Sequence, residues 1–267
     1  MQGLDGSDHT YWSPADGIFV QGIGIGFHHQ LMPDSTLDLG FSATAMHYVS
    51  ERPCNIPGHV HHVGATGGAL AAFDRQAAAD WERILLGRAA ELRPGGRLVI
   101  MSFGKDEQGR YLGNTGGVNM FDTFDLHWRA LADEGVITRA EYDAATFAQV
   151  YRTPEQFQAP LLDKTSRVHQ AGLRLVSAHT GVTACPYRVA FEQSGTMTPR
   201  EFAQSYIPTL RSWSETVFAN ALNPERPADE RAAIVDRFYR NYEDMVANDP
   251  DGHAMDYVHS YLAIEKV

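Results

Sequence analysis

The chain has 267 residues, 43% of them hydrophobic, and a formal net charge of −11, which fits one large α/β domain or a domain with a cap. The acidic balance argues against a nucleic-acid partner, because phosphate binding needs clustered Lys and Arg, and no apolar run approaches the roughly 20 residues that span a bilayer. The first residues lack the basic and apolar regions of a signal peptide, and two cysteines, Cys54 and Cys185, indicate reduced thiols in the cytoplasm.

The first half of the chain alternates predicted strands and helices. The predicted elements are strands at 18–20 and 36–41, a helix at 43–50, a loop at 53–68, a helix at 69–92 and a strand at 97–103. Trp81, Ile84 and Leu85 recur at helical spacing and give the second helix one apolar face. Pro94 and Gly95 then end that helix, because proline cannot continue it and glycine takes the turn conformation.

The second half is richer in predicted helices. The predicted elements are a loop at 104–119, helices at 121–135 and 154–171, strands at 173–178 and 187–191, helices at 199–222 and 227–248, and a strand at 257–264. Thr153 is the expected N-cap of the helix at 154–171. The alternation of strands and helices predicts a mostly parallel sheet with the extra helices as a cap. We expect the strands at 97–103 and 257–264 to lie in one sheet.

Four segments, in the same order along the chain, resemble the SABATH family of carboxyl methyltransferases. They are IGFHHQLMP at 25–33, SATAMHYVSERP at 42–53, RAAELRPGGR at 88–97, and 130–141, which contains EGVI. They are similar to the family's G-S-F-Y-x-R-L-F-P, S-S-Y-S-L-M-W-L-S-x-x-P, R-x-x-E-L-x-P-G-G-R and E-G-L-I. Tyr151 also falls near the family's I-P-x-Y. The four segments occur in the family's order with suitable gaps, and they extend over residues 25–141.

The resemblance implies an α/β fold, a class I methyltransferase (Rossmann-like) sheet with a helical cap. It implies methyl transfer from S-adenosylmethionine to the carboxylate of a small aromatic or lipophilic acid. The family often forms dimers, so a homodimer is one expectation. By the resemblance, residues 1–110 and 165–267 would form a partial core with cap helices within 195–248, and 111–164 would be a substrate-capping segment.

The chain departs from the family at its start, because the family's D-L-G-x-S-x-G cofactor loop precedes the segments matched here. We therefore expect the first strands of the sheet to be missing, and the strand at 36–41 to form an exposed edge. Two local sequences remain open as substitutes for the loop, namely Gly22-x-Gly24-x-Gly26 and Asp38-Leu39-Gly40. A second function class also stays open, a paralogue without catalysis that acts as a ligand-binding or dimerisation module.

The resemblance also implies site residues for this reaction, which needs aromatic walls and a donor for the carboxylate. Gly26 and Phe27 match positions that contact the cofactor adenosine. Tyr48 replaces a tryptophan whose ring N–H binds the carboxylate, and a phenol O–H can also donate. The acceptor pocket would be lined by Thr44, His47, Tyr48, Met120, Phe121 and Tyr151, with Leu210 and Trp213 closing it. Ordinary core packing remains the alternative for the apolar residues of this set.

No metal site is expected from the sequence. The cluster His59-Val60-His61-His62 lacks carboxylate or cysteine partners at ligand spacing, and we interpret it as a solvated loop. Some plant relatives bind magnesium through an Asp-x-Phe-Asn segment. The local sequence at 143–148 has no asparagine after Phe147, so the metal is not carried over.

Overall fold

A computed structural model describes residues 20–267. Its strands are β1 (Leu37–Ala43), β2 (Leu92–Phe103), β3 (Leu173–Thr183) and β4 (Tyr257–Lys266), which form one sheet in the order β1-β2-β4-β3. β1 and β2 pair in parallel, whereas β4 pairs antiparallel with both β2 and β3. The prediction that 97–103 and 257–264 share a sheet is confirmed. The prediction of a mostly parallel sheet is correct for strand direction, since β1, β2 and β3 run the same way. It is wrong for the pairing, because β4 lies between β2 and β3 and is antiparallel to both.

The helices form two groups. They are α1 (Gly67–Glu91), α2 (Met120–Asp133), α3 (Arg139–Ala144), α4 (Pro154–Leu162), α5 (Arg167–Gln170), α6 (Pro186–Ser194), α7 (Pro199–Ala221) and α8 (Ala228–Asn248). α1, α4 and α5 pack against the sheet, where Trp81, Leu98 and Leu262 share one buried core. α2, α3, α7 and α8 surround a second core that is rich in aromatic side chains. The predicted division into a sheet layer and a helical cap therefore appears as two adjoining cores.

The sequence RPGG at 93–96 forms an irregular turn near the start of β2, directly after α1. α1 ends at Glu91, and Gly95 has a φ of 82°, which favours glycine. A Cβ on Gly96 would lie 2.9 Å from the carbonyl oxygen of Leu37, so only glycine allows β1 to approach β2 here. The pairing shifts register between Leu37 and Leu39 beside this turn.

Three sequence predictions about local structure are wrong. Residues 43–50 form turns and one bridge instead of a helix, because Thr44 has a φ of 58°, which a right-handed helix does not contain. Residues 187–191 belong to α6, whose first residue is Pro186, a common helix-start signal. The helix predicted at 154–171 divides into α4 and α5 around a turn in which Asp163 accepts from the Thr165 N–H at 2.8 Å.

The predicted N-cap and most other boundaries agree with the structure. Thr153 and Gln156 form a capping box at the start of α4. The strand predicted at 18–20 lies outside the described residues except for Val20, which is in coil. Cys54 and Cys185 are both free thiols. None of the helices between residues 20 and 267 has the length and apolar character needed to cross a membrane.

One face of the sheet stays open in the described part of the chain. Leu98 and Ile264 face the helices, whereas Leu39, Phe41 and Val99 point to the opposite side and are 60%, 69% and 37% exposed. β1 is the edge strand beside this face, as the sequence predicts. Exposed apolar residues on an edge strand favour pairing with another polypeptide.

A buried carboxylate joins the short helix α3 to the connection between α7 and α8. Glu141 closes a capping box with Thr138, and it also accepts from the Asn223 N–H at 2.8 Å and from Nε of Arg226 at 2.6 Å. The Arg226 guanidinium and these N–H donors lower the pKa of Glu141 to about 2.

We predict that Glu141→Gln lowers the free energy of unfolding by about 1.5–3 kcal/mol at neutral pH, because it removes hydrogen bonds to a charged group. Chemical denaturation followed by circular dichroism measures the difference. It should shrink as the pH falls from 4.5 towards 2, because in this range the carboxylate of the unfolded chain takes up a proton while the native carboxylate stays ionised. Glu82→Gln is the matched control, since Glu82 pairs with Arg167 on the surface, where a salt bridge contributes about 0–1 kcal/mol. Equal effects of the two substitutions would contradict the prediction.

Candidate functional site

A cavity of about 200 Å³ lies beyond the carboxyl ends of the parallel strands β1 and β2. Ligands of open α/β sheets bind at this edge. The lining residues come from both ends of the chain and from the loops between the strands: Thr44, His47, Tyr48, Phe103, Leu112, Gln149, Tyr151, Trp213, Met255 and Tyr257. A larger cavity of about 520 Å³ lies between α1, α4 and α5, but it is lined by none of the predicted site residues.

The ends of the strands position the floor of the smaller cavity. Thr44 follows β1 in the left-handed conformation, and its N–H donates to the carbonyl oxygen of Met101 at 2.6 Å. The pairing of β2 with β4 places His259 opposite Phe103, and the two rings stack with centroids 4.8 Å apart. The Thr44 hydroxyl lies 3.4 Å from Nε2 of His259. The strand register therefore fixes aromatic and polar groups side by side.

Tyr48 and Gln149 are held next to each other by backbone pairing. The Val49 N–H donates to the carbonyl oxygen of Ala148 at 3.0 Å, and the Val150 N–H donates to the carbonyl oxygen of His47 at 2.8 Å. These two bonds flank an antiparallel bridge between Tyr48 and Gln149. Residues at such a non-hydrogen-bonded position have closely spaced Cα atoms and side chains on the same face. Tyr48 is 42% exposed, whereas Gln149 is buried.

The structure brings five of the predicted acceptor residues together around the cavity, namely Thr44, His47, Tyr48, Tyr151 and Trp213. Met120 and Phe121 are buried behind this wall, where the Phe121 ring lies 5.9 Å from that of Tyr151. Leu210 is fully buried in the helical core and is not a lining residue.

The two predicted cofactor residues lie on the other side of Tyr48. Gly26 is exposed, and Phe27 is half-buried against the core under α1, with its ring stacked on His28 at 4.2 Å. His28 in turn contacts the carbonyl oxygen of Tyr48 through Nε2 at 3.2 Å. This segment therefore borders the acceptor cavity without lining it.

Neither substitute for the glycine loop forms a strand-to-helix turn in the described residues. Gly22, Gly24 and Gly26 lie in exposed coil, and an added Cβ at each would contact nothing within 4 Å. Asp38, Leu39 and Gly40 lie within β1 itself. The described residues thus contain a cavity lined by predicted acceptor residues, and neither of the two glycine segments forms the turn expected of a cofactor loop.

Burial favours the neutral form of the histidines beside the cavity. Burial, the nearby Arg152 guanidinium and His259 lower the pKa of His47 to about 3. Burial also lowers the pKa of His259 and raises the pKa of Tyr151 well above its usual value. Burial thus favours the uncharged form of each of these side chains, so that the cavity offers uncharged donors and acceptors to a ligand.

The interpretation of His59-Val60-His61-His62 as a solvated loop is wrong. His61 is fully buried and stacks on Phe121 with ring centroids 3.9 Å apart. His62 contacts Asp74 at 2.9 Å, and His59 contacts Asp122 at 3.1 Å. Each pair has one carboxylate, and residues 20–267 contain no group of three or more His, Cys, Asp or Glu side chains placed to hold a metal ion.

Five of the ten residues that line the cavity were not identified from the sequence. Phe103 and Tyr257 lie at the ends of two predicted strands, and the rule that ligands bind at strand ends would have indicated both. Leu112, Gln149 and Met255 lie in irregular segments that carry no such signal. His61 was visible as part of the histidine cluster, but its burial depends on contacts distant in sequence.

Comparisons with known proteins agree with this geometry. The sequence profile of a family described as SAM dependent carboxyl methyltransferase matches residues 5–266. Indole-3-acetate O-methyltransferase 1 of Arabidopsis thaliana is 28% identical over 141 residues, which are 48% of this chain and 36% of that protein. Salicylate carboxymethyltransferase of Clarkia breweri is 24% identical over 156 residues, 57% of this chain and 43% of that protein. The matches thus span less than half the length of these relatives.

A solved structure, loganic acid methyltransferase with SAH, superposes on 95% of this chain and on 68% of its own chain, with a TM-score of 0.69 and 16% sequence identity. This likeness shows the class I methyltransferase fold. The profile covers nearly the whole sequence and the fold agrees with it, so the chain belongs to the SAM-dependent carboxyl methyltransferase family, as the SABATH resemblance predicts.

Proposed function

We propose that the cavity beyond β1 and β2 binds the acid acceptor in a methyl transfer from S-adenosylmethionine to the carboxylate of a small aromatic or lipophilic acid. One observation carries the proposal. Thr44, His47, Tyr48, Tyr151 and Trp213 come from three separate parts of the chain, and they line the same cavity. Its volume of about 200 Å³ and its aromatic walls suit a small ring-containing acid.

The neutral histidines suit this chemistry. S-adenosylmethionine, when bound, supplies the methyl group. The acceptor is a carboxylate that is already ionised at neutral pH, so the residues of this chain have no proton to remove. Their task is to hold the carboxylate oxygen in position and to keep the ring between aromatic walls. Tyr48 can donate its O–H to the carboxylate, while Tyr151 and Trp213 face the body of the acid.

The proposal includes the organisation predicted from the sequence. Residues 1–110 and 165–267 would contribute the methyltransferase core, with cap helices within 195–248, and 111–164 would cap the substrate. Location in the cytoplasm and assembly as a homodimer are parts of the same proposal. The aromatic core formed by α2, α7 and α8 supports it, because this core carries Trp213 to the cavity.

We predict that residues 1–267 bind S-adenosylhomocysteine weakly or not at all. The reason is that Gly22–Gly26 lies in exposed coil and Asp38–Gly40 lies within a strand. Isothermal titration calorimetry measures the affinity for S-adenosylhomocysteine. Adenosine, which lacks the homocysteine part, is the control ligand. Micromolar affinity for S-adenosylhomocysteine would show that one of these segments holds the cofactor after all.

We predict that Tyr48→Phe weakens the affinity for benzoate by about ten- to hundredfold, because it removes one hydrogen bond to a charged group, about 1.5–3 kcal/mol. In an active preparation, kcat/KM should fall by the same factor. Tyr48→Trp should retain affinity, because the indole N–H is also a donor. Tyr261→Phe is the control, since Tyr261 lies on β4 and does not line this cavity. If Tyr48→Trp lost affinity for benzoate and Tyr48→Phe did not, Tyr48 would contribute only packing and no hydrogen bond.

A further inference from the structure

Gln149 is the polar residue of the cavity that neither the sequence nor the reaction chemistry singles out. It is 5% exposed, it lines the cavity, and it faces the same side as Tyr48 across the antiparallel bridge. Non-hydrogen-bonded pairs have Cβ atoms about 4.5–5.5 Å apart, which is close to the reach of one small ligand group. The phenol O–H of Tyr48 and the side-chain amide of Gln149 can therefore hydrogen-bond the same group of a ligand.

The surroundings of Gln149 decide which end of its amide faces the cavity. The Tyr151 hydroxyl donates to Oε1 of Gln149 at 3.4 Å. Nδ1 of His61 accepts the Val63 N–H at 3.2 Å, so the proton of the neutral imidazole sits on Nε2. Nε2 has no hydrogen-bond partner among the described residues; burial lowers the pKa of His61 well below its usual value, and the nearby Gln149 side chain opposes this shift, as an oxygen facing an imidazole N–H does. One donor, the Tyr151 hydroxyl, thus lies on the oxygen side of the amide, and the unpaired His61 N–H lies near the same side chain.

A carboxylate has two oxygens and accepts several hydrogen bonds, whereas Tyr48 has one proton to donate. With Oε1 accepting from Tyr151, the amide nitrogen of Gln149 is left with two N–H groups for the cavity. A buried N–H that meets no acceptor is unfavourable, so this end of the amide favours a ligand with an oxygen acceptor.

We propose that Gln149 is a second substrate-binding residue, whose amide N–H donates to the carboxylate that Tyr48 holds, and that Tyr151 and His61 fix the orientation of this amide. This inference rests on the proposed function. It assigns a chemical role to the buried histidine cluster, because His61 acts through Gln149 and not as a ligand of a metal. The pocket then selects an ionised acid over the corresponding ester, since only the acid offers both oxygens with a negative charge to two donors.

The test compares benzoate with methyl benzoate, which have the same ring but differ in the charged group. Calorimetry on the full chain measures both affinities for wild type, Gln149→Leu and Gln149→Glu. We expect Gln149→Leu to lower benzoate affinity five- to tenfold, and Gln149→Glu to lower it more than tenfold at pH 7. Neither should change methyl benzoate affinity more than twofold. The loss in Gln149→Glu should diminish as the pH is lowered and the new carboxyl group takes up a proton.

Gln170→Glu is the matched control, because Gln170 is exposed on α5 and remote from the cavity. It should leave both affinities unchanged, and thermal unfolding should show that Gln149→Leu remains folded. Equal loss of benzoate and methyl benzoate would mean that Gln149 only supports the wall, and an unchanged benzoate affinity would mean that it does not touch the carboxylate; either result overturns the inference alone. If wild type bound neither compound, the proposed function and this inference would both fail.

Discussion

The buried ion pair between Arg88 and Glu91 holds the amino-terminal segment on the sheet layer. Nε of Arg88 donates to Glu91 at 2.6 Å, and its two terminal nitrogens donate to the carbonyl oxygens of Phe27 and His29 at 3.1 and 2.8 Å. Glu91 in turn accepts the backbone N–H groups of Leu31 and Met32. A buried pair is stable only when its remaining donors and acceptors are satisfied, and here the backbone of 27–32 satisfies them.

This interaction explains why two distant motifs occur together. The residues Arg88 and Glu91 belong to RAAELRPGGR, and the segment that they bind is IGFHHQLMP. Through His28, the same segment contacts the backbone of Tyr48 at 3.2 Å. The ion pair therefore connects the end of α1 to the rim of the cavity, so that a motif with the pattern of a helix end also supports a residue that lines the cavity.

How far the sequence predicts the structure depends on the range of the interactions that decide each element. The strand at 97–103 and the helices at 199–222 and 227–248 were predictable, because their apolar patterns match the faces that they bury. Residues 43–50 have helical composition, but the end of β1 and the bridge to Gln149 impose a left-handed turn and an extended segment. The family resemblance predicted that Tyr48 lines the pocket, and Tyr48 does line the cavity. The sequence did not indicate the roles proposed for Gln149 and His61, because these depend on contacts between 47–63 and 149–151.

The neutral histidines couple the folding of this chain to proton uptake. In the folded state burial lowers the pKa of His47 to about 3, and burial together with His253 lowers the pKa of His127 to about 4. In an unfolded chain both imidazoles regain a pKa near 6.5, so below that pH the unfolded state binds protons that the folded state excludes. The stability that these residues contribute is complete above pH 6.5 and declines as the pH falls towards 3. The burial that keeps His47 uncharged in the cavity and His127 uncharged beside Tyr242 thus also makes acid destabilise the fold.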